Sequence, residues 1–288
     1  VVQARAGGGG EGARRKGGAY GREITFARRA LKKRSAPRVC VAANNLRSRP
    51  IYGIITAMKV FAISDLHLSG LKEKPMNVFG EGWDGHFDKI KSDWEEKVSD
   101  EDIVLIGGDT SWGMKLEEGM HDVRSLAPLR GGKVFIRGNH DYWWNGITRV
   151  RTSAPDDTFY FLQNDCVKIG KYVIAGSRGW TCPGSADYTD HDRTLYLREA
   201  ERFRLAFHEV KKVREEGDVL IALIHYPPFN VKREDTLFTE LFEANGVDKV
   251  VFGHLHGSGF FPLRSEKAGI EYFLTSCDKI GFSLARII

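Results

Sequence analysis

From Met58 onward, short runs rich in Val, Ile and Phe alternate with polar stretches of helical period, the pattern of an α/β domain whose strands are buried on both faces. The runs predict strands over 59–64, 102–107, 133–137, 158–162, 165–169, 171–176, 218–224, 248–252, 270–274 and 283–287. Helical spacing marks the segments around 86–98, 115–127, 191–216 and 235–245. In the longest of these, Leu195, Phe203, Phe207, Val210 and Val213 fall on one face, which reads as core packing. No repeat and no Pro- or Ser-rich linker divides 58–288, so one domain is expected there. The longest apolar run, Val219 to Ile224, is far short of the roughly 18 residues that span a bilayer, and no membrane association is expected.

The first 57 residues do not share this pattern. Overall, 288 residues with 42% hydrophobic and 28% charged content exclude a wholly disordered, collagenous or mucin-like chain. The net charge of +5 is very unevenly divided: 1–57 hold 13 Lys or Arg against Glu11 and Glu23, whereas 58–288 hold 30 basic against 36 acidic residues. Gly7 to Gly10, with Gly12, Gly17, Gly18 and Gly21 among Arg14, Arg15 and Lys16, bury too little apolar surface to offset ordering, so disorder is expected. Three readings stand for 1–57: an upstream or dispensable extension, a targeting leader, or an arm that binds nucleic acid. Met58-Lys59-Val60, running straight into a strand, favours the first. Four scattered cysteines, Cys40, Cys166, Cys182 and Cys277, form no CxxC pair, which argues against a disulfide scaffold or a cysteine zinc site and fits a reducing cytoplasm.

Five predicted strands end in residues of metal-ligand type. They run into Asp65-x-His67, Gly108-Asp109, Gly138-Asn139-His140-Asp141, His225-Tyr226-Pro227-Pro228 and Gly253-His254-x-His256. Each alone has a bland explanation, such as a turn aspartate or a packed histidine. Together they do not: with 32 Gly and 9 His in the chain, Gly-His-x-His alone is expected by chance roughly 0.03 times. In an open α/β sheet, ligands sit beyond the carboxyl ends of the strands, so the five sets can converge. Imidazole, carboxylate and amide oxygen together suit a first-row divalent ion, Mn, Fe, Co, Ni or Zn. Seven ligand-type residues exceed one four-coordinate ion and fit a two-metal centre.

This ordered set resembles the calcineurin-like metallophosphoesterases, and more narrowly their small bacterial predicted phosphohydrolases. The resemblance spans Asp65 to His256 with no motif missing. It implies a four-layer α/β/β/α sandwich over 58–288 and a phosphohydrolase that cleaves monoesters or diesters by a metal-bridged hydroxide. It assigns one ion, with Mn favoured, to Asp65, His67 and His256, and a second to Asn139, His225 and His254. Asp109 would bridge them, and His140, oriented by Asp141, would protonate the leaving group. Arg137 stands where protein phosphatases of the superfamily carry a phosphate-binding Arg, although those enzymes have Glu at the position of Asp141.

The substrate so implied is a small phosphoester or nucleotide, with no obligate protein partner. A catalytically silent scaffold is the alternative, but its signature, loss of ligands, is absent. Binding of nucleic acid is left to 1–57. Trp112, Tyr142, Trp143, Trp144, Trp180 and Tyr226 lie near the motifs as pocket walls or as core. His86, His191 and His208 lack motif context and are expected on helix surfaces, and Arg178-Gly179-Trp180 follows a strand with no role assigned.

Overall fold

Along most strands, alternate side chains enter two different apolar layers. The structure, a computed structural model, describes residues 41–42 and 57–288 apart from 72, 73, 187, 258 and 260, all within one unit, Val39–Ile288. The expectations for 1–57 lie outside the described residues except at Val41–Ala42. One sheet holds β2 (Val60–Ile63), β3 (Ile103–Ile106), β4 (Gly132–Ile136) and β5 (Phe159–Leu162) in parallel, with β12 (Ala285–Arg286) antiparallel to β2 at its edge. The other runs β1 (Val41–Ala42), β6 (Asp165–Ile169), β7 (Tyr172–Ser177), β8 (Val219–Ile224), β9 (Lys249–Phe252), β11 (Ile270–Leu274), β10 (Arg264–Lys267).

Val60, Ala62, Leu105, Val134, Ile174, Ile221 and Val251 fill the layer between the sheets. Their neighbours Phe61, Ile63, Val104 and Phe135 face the opposite way, onto α1 (His86–Lys97), α2 (Leu116–Arg124) and α3 (Ile147–Thr152). Val173, Ala175, Leu220 and Val250 do the same on the second sheet, against α4 (Asp190–Val213) and α5 (Leu237–Ala244). The result is the four-layer α/β/β/α sandwich, because a period of two with both parities apolar requires cover on both faces.

Differences from the pattern reading are local. β10 reads Arg264-Ser265-Glu266-Lys267, an edge strand whose polarity guards against further pairing and so leaves no apolar signal. α3 has six residues, too few to show a period. In α4, Tyr196 begins the buried stripe that continues through Phe203, Phe207 and Val210, while Leu195 lies outside it. At the carboxyl edge the two sheets are tied together, with Ser64 donating to the Thr275 carbonyl at 2.8 Å and the Ser64 and Thr275 hydroxyls 2.7 Å apart.

Lys133, inside β4, is 1% exposed and donates to the Gly131 carbonyl at 2.9 Å. Burial pushes its ammonium down to about 8, against the opposing charges of Asp156 and Asp100. An unfolded lysine keeps its proton to about pH 10.4, so between these values the unfolded chain binds more protons and stability rises with pH. Urea unfolding should therefore show the wild type gaining on Lys133→Met between pH 7.5 and 9.5. A difference that stays flat across that interval would mean that Lys133 keeps its ordinary affinity for the proton.

Candidate metal centre

The strand ends deliver the candidate residues to one edge. Asp65 and His67 follow β2, Asp109 follows β3, Asn139 to Asp141 follow β4, His225 follows β8, and His254 and His256 follow β9. Asp65, His67, Asp109 and His254 take left-handed backbone, with φ of 60°, 47°, 51° and 71°, a region costly for non-glycine residues and typical of functional turns. Backbone bonds hold these turns: Asp65 N–H donates to Gly108 O at 2.9 Å and His67 N–H to Asp109 O at 3.0 Å. The motif glycines leave room for the carboxylates. A Cβ on Gly138 would lie 2.0 Å from Asp109 Oδ1, and one on Gly253 2.5 Å from Asp65 Oδ2.

Two sets of donor atoms come together, Asp65 with His67 and His256, and Asp65 with Asp109 and His225, each within 4.8 Å of one another. Asn139 Oδ1 joins the second set, 2.7 Å from His225 Nε2 and 2.9 Å from His254 Nδ1. Supporting contacts aim the rings: His225 Nδ1 lies 2.9 Å from the Gly107 carbonyl, and His256 Nδ1 lies 2.9 Å from Asp278 Oδ1. A ring N–H held by an outer acceptor leaves the other nitrogen free to ligate. For His225 this turns Nε2 toward Asn139 Oδ1 at 2.7 Å and Asp109 Oδ2 at 3.5 Å. Asp65 Oδ1, whose neighbour is His256 Nε2 at 3.4 Å, and His67 Nδ1 are buried without a well-formed hydrogen bond among the described residues. Orphaned acceptors beside buried carboxylates fit divalent ions, and the mixed N and O donors fit first-row ones.

The electrostatics of the protein alone favour neutral ligands at His67 and His254 but hold a proton on His256, which a cation there would displace. Burial holds the imidazoles of His67 and His254 down to about 3, so both are neutral, as ligands must be. Burial first, and then the charges of Asp141 and Asp65, raise Asp109 to about 7 against the pull of His225. Asp65 is held below its ordinary value because His256, 3.4 Å from its Oδ1, and the other nearby histidines outweigh a large burial penalty. His256 rises to about 10: burial opposes this, but Asp278 and Asp65 favour its charged form. Three buried carboxylates, Asp65, Asp109 and Asp141, thus crowd one spot.

One expectation needs correction. Asp141 does not orient His140. Its Oδ2 accepts from the amides of Asp109 and Gly138 at 2.9 and 2.8 Å, and its Oδ1 from Thr110, Ser111 and Trp143 Nε1 at 2.9, 3.2 and 2.9 Å. These donors use the carboxylate to join two loops, while His140 Nδ1 has no hydrogen-bond partner among the described residues. Arg137 lies at the same edge but does not line the cavity that holds His140; it lines a neighbouring one with Arg178, Arg198 and Arg202.

The cavity beside the donor sets, of about 320 Å3, is lined by His67, Asp109, His140, His254 and His256, with Met76, Phe79, Trp83 and Trp112 as its apolar wall. Trp112 stacks on His67 at 4.7 Å and tilts against His140 at 4.7 Å, and Tyr226 lies 4.2 Å from His254. Trp143 and Trp144 are core, and Tyr142 is exposed. His191 and His208 are exposed on α4. His86 is not a surface residue: its ring nitrogens lie 2.9 and 3.1 Å from the Leu66 and Trp83 carbonyls. Asp278 and Trp83 were not legible as site residues, since nothing in their local sequence marks them. The pairing of Ser64 with Ser276, with the Cys277 amide donating to the Ser64 carbonyl at 3.0 Å, brings the loop of Asp278 to this edge.

The curated proteins hold no match to the sequence. Among solved structures, the chain is similar to a phosphopantetheinyl hydrolase from Mycobacterium tuberculosis, at 11% identity and a TM-score of 0.49 over 80% of this chain and 95% of that one. It is also similar to a protein of unknown function from Aquifex aeolicus, at 16% identity and a TM-score of 0.44 over the same shares. The family model of the calcineurin-like phosphoesterases matches residues 58–258, well over half of the chain, and the protein therefore belongs to this family of divalent-metal-dependent phosphoric ester hydrolases.

Proposed function

We propose that the chain is a dinuclear hydrolase of phosphomonoesters or phosphodiesters. Asp65, His67 and His256 would hold one divalent ion, Asn139, His225 and His254 the other, and Asp109 would stand between them; manganese is the ion we favour. The observation that supports this reading is the convergence of five strand ends on one cluster of buried donor atoms, four of them lining the cavity beside it. When bound, the ions supply positive charge for phosphoryl oxygens and acidify water toward neutrality.

The chain's own residues do the rest. The Gly107 carbonyl and Asp278 fix the rings of His225 and His256, so the ligands need little reorganisation. The amide of His254 donates to Asp65 Oδ2 at 2.9 Å and that of His140 to Asp109 Oδ1 at 2.8 Å, which leaves the opposite carboxylate oxygens for the ions. Trp112 and Trp83 shield one side of the cavity from water. His140 lines that cavity, and its Nδ1 has no partner, so the ring is available to the ester. An anionic ester beside the imidazole favours its protonated form, and the ring then gives that proton to the leaving oxygen.

Three outcomes follow. Metal analysis of the purified protein should find two divalent ions per chain, with hydrolysis in a screen of phosphomonoesters and phosphodiesters supplied with manganese. Asp109→Asn should lower the content of both ions; two ions retained with normal turnover would remove Asp109 from its position between them. His140→Ala should keep both ions and lower kcat by about 10²–10⁴, with a smaller loss for p-nitrophenyl phosphate, whose leaving group departs unprotonated. Equal loss across leaving groups, or loss of metal, would show that His140 is a ligand or a support.

A further inference from the structure

Beside the metal centre lies a second cavity, of about 270 Å3, with a different chemistry. Arg137 follows β4, Arg178 follows β7, and Arg198 and Arg202 project from α4; together they line it, with Ser177 and Gln163. Three of these four guanidiniums share one carboxylate, Glu199, which is 0% exposed. Its Oε1 takes Arg202 at 2.6 Å, Arg178 at 3.3 Å and Arg198 at 3.7 Å, and its Oε2 takes the Ser177 hydroxyl at 3.3 Å. The next acid along β6, Asp165, is engaged with Arg151 at 2.6 Å.

The arginines are therefore under-neutralised, and part of their donor capacity is unused. Nε of Arg137 and Nε of Arg178 are buried with no hydrogen-bond partner among the described residues. Buried donors without acceptors are uncommon and call for an explanation. Burial and the charge of Arg137 both oppose protonation of Arg178, so crowding like charges here has a cost. The guanidinium of Arg178 lies 4.5 Å over the Trp180 ring, and Trp180 is fixed by a 2.9 Å bond to Asp192. A planar, preoriented guanidinium suits a phosphate or another oxyanion.

The position relative to the metal centre gives the cavity its meaning. Arg137 precedes Asn139 by two residues. The Arg178 carbonyl accepts from the amides of His225 and Tyr226 at 3.0 and 3.2 Å, and β7 is the parallel neighbour of β8, one strand spacing of about 5 Å away. The cavity thus adjoins the proposed site at Asn139 and His225.

We propose that this basic cavity is a second anion subsite, which binds a non-scissile phosphate of the substrate, so that favoured substrates carry two phosphate groups. This rests on the phosphohydrolase reading above. The test uses the metal-loaded protein with propyl phosphate and with the bisphosphates of propane-1,3-diol, butane-1,4-diol and hexane-1,6-diol, followed by phosphate release. At least one bisphosphate should exceed propyl phosphate in kcat/KM by tenfold or more. Arg198→Gln with Arg202→Gln should erase that advantage, mainly through KM, and change propyl phosphate turnover by less than about twofold. Arg198→Lys with Arg202→Lys, which keeps the charge, should retain part of it.

Calorimetric titration with inorganic pyrophosphate gives a readout that does not need turnover, and the glutamine pair should weaken that binding at least tenfold. No preference at any spacer, or a preference that survives the glutamine pair, overturns the subsite. Pyrophosphate or phosphate binding that depends on these arginines, with no advantage for bisphosphates, would make the cavity a site for a free anion and also overturn it. If no ester is hydrolysed at all, the phosphohydrolase reading fails, and calorimetry still decides whether the cavity binds phosphate.

Discussion

The carboxylate of Asp141 takes five hydrogen bonds, four from backbone amides and one from an indole, and the functional edge of the molecule depends on them. The amides come from the turns after β3 and after β4, so one buried charge fixes the separation of Asp109 from Asn139 and His140. Donors of this kind are worth more to a charged acceptor than to a neutral one. They compensate a carboxylate that is 0% exposed, which would otherwise be costly to bury. The close approach of Gly138 to Asp109, and the left-handed φ of Asp109 itself, follow from holding the two turns this tightly.

Parallel strands make such an edge possible. Each delivers its carboxyl end to the same side, and the sheets are joined there by Ser64 and Thr275, so residues far apart in sequence meet without any loop having to be long. The layer between the sheets is built mainly from aliphatic side chains, and the candidate ligands emerge where the strands stop. Because the donor atoms sit at the ends of buried strands, their positions are set by the core.

What could be read from the sequence follows the same division. The strands were legible because both parities are apolar, and the ligand set because it is concentrated in short motifs at strand ends. The role given to Asp141 was not legible: a motif shows that residues are neighbours in sequence, whereas the direction of a carboxylate is decided by which amides a distant turn presents. Asp278, Arg198 and Arg202 were missed, and Arg178 left without a role, for a related reason. Each lies on a segment with no motif of its own and reaches the edge through tertiary contacts: the ties of the Asp278 loop to Ser64, the pairing of β7 with β8, and the packing of α4. Edge strand β10 escaped because its polarity, which guards the edge, is also what erases the signal.

The charge pattern at this edge is polarised rather than balanced. Asp65, Asp109 and Asp141 crowd one side, faced by His225 and by backbone amides, and the arginines crowd the other, three of them around Glu199. Charges as close as these lower each other's energy when paired and raise it when they are alike, yet turns held by backbone hydrogen bonds keep the two sets from collapsing onto one another. Separated in this way, each half is unsatisfied in the opposite sense, one toward cations and the other toward anions. A phosphoester is the kind of molecule that satisfies both only after cations are in place, since its own charge would be repelled by the bare carboxylates. On the proposed reading, cations would bind before the ester, because the strand ends hold the carboxylates and the arginines in separate places.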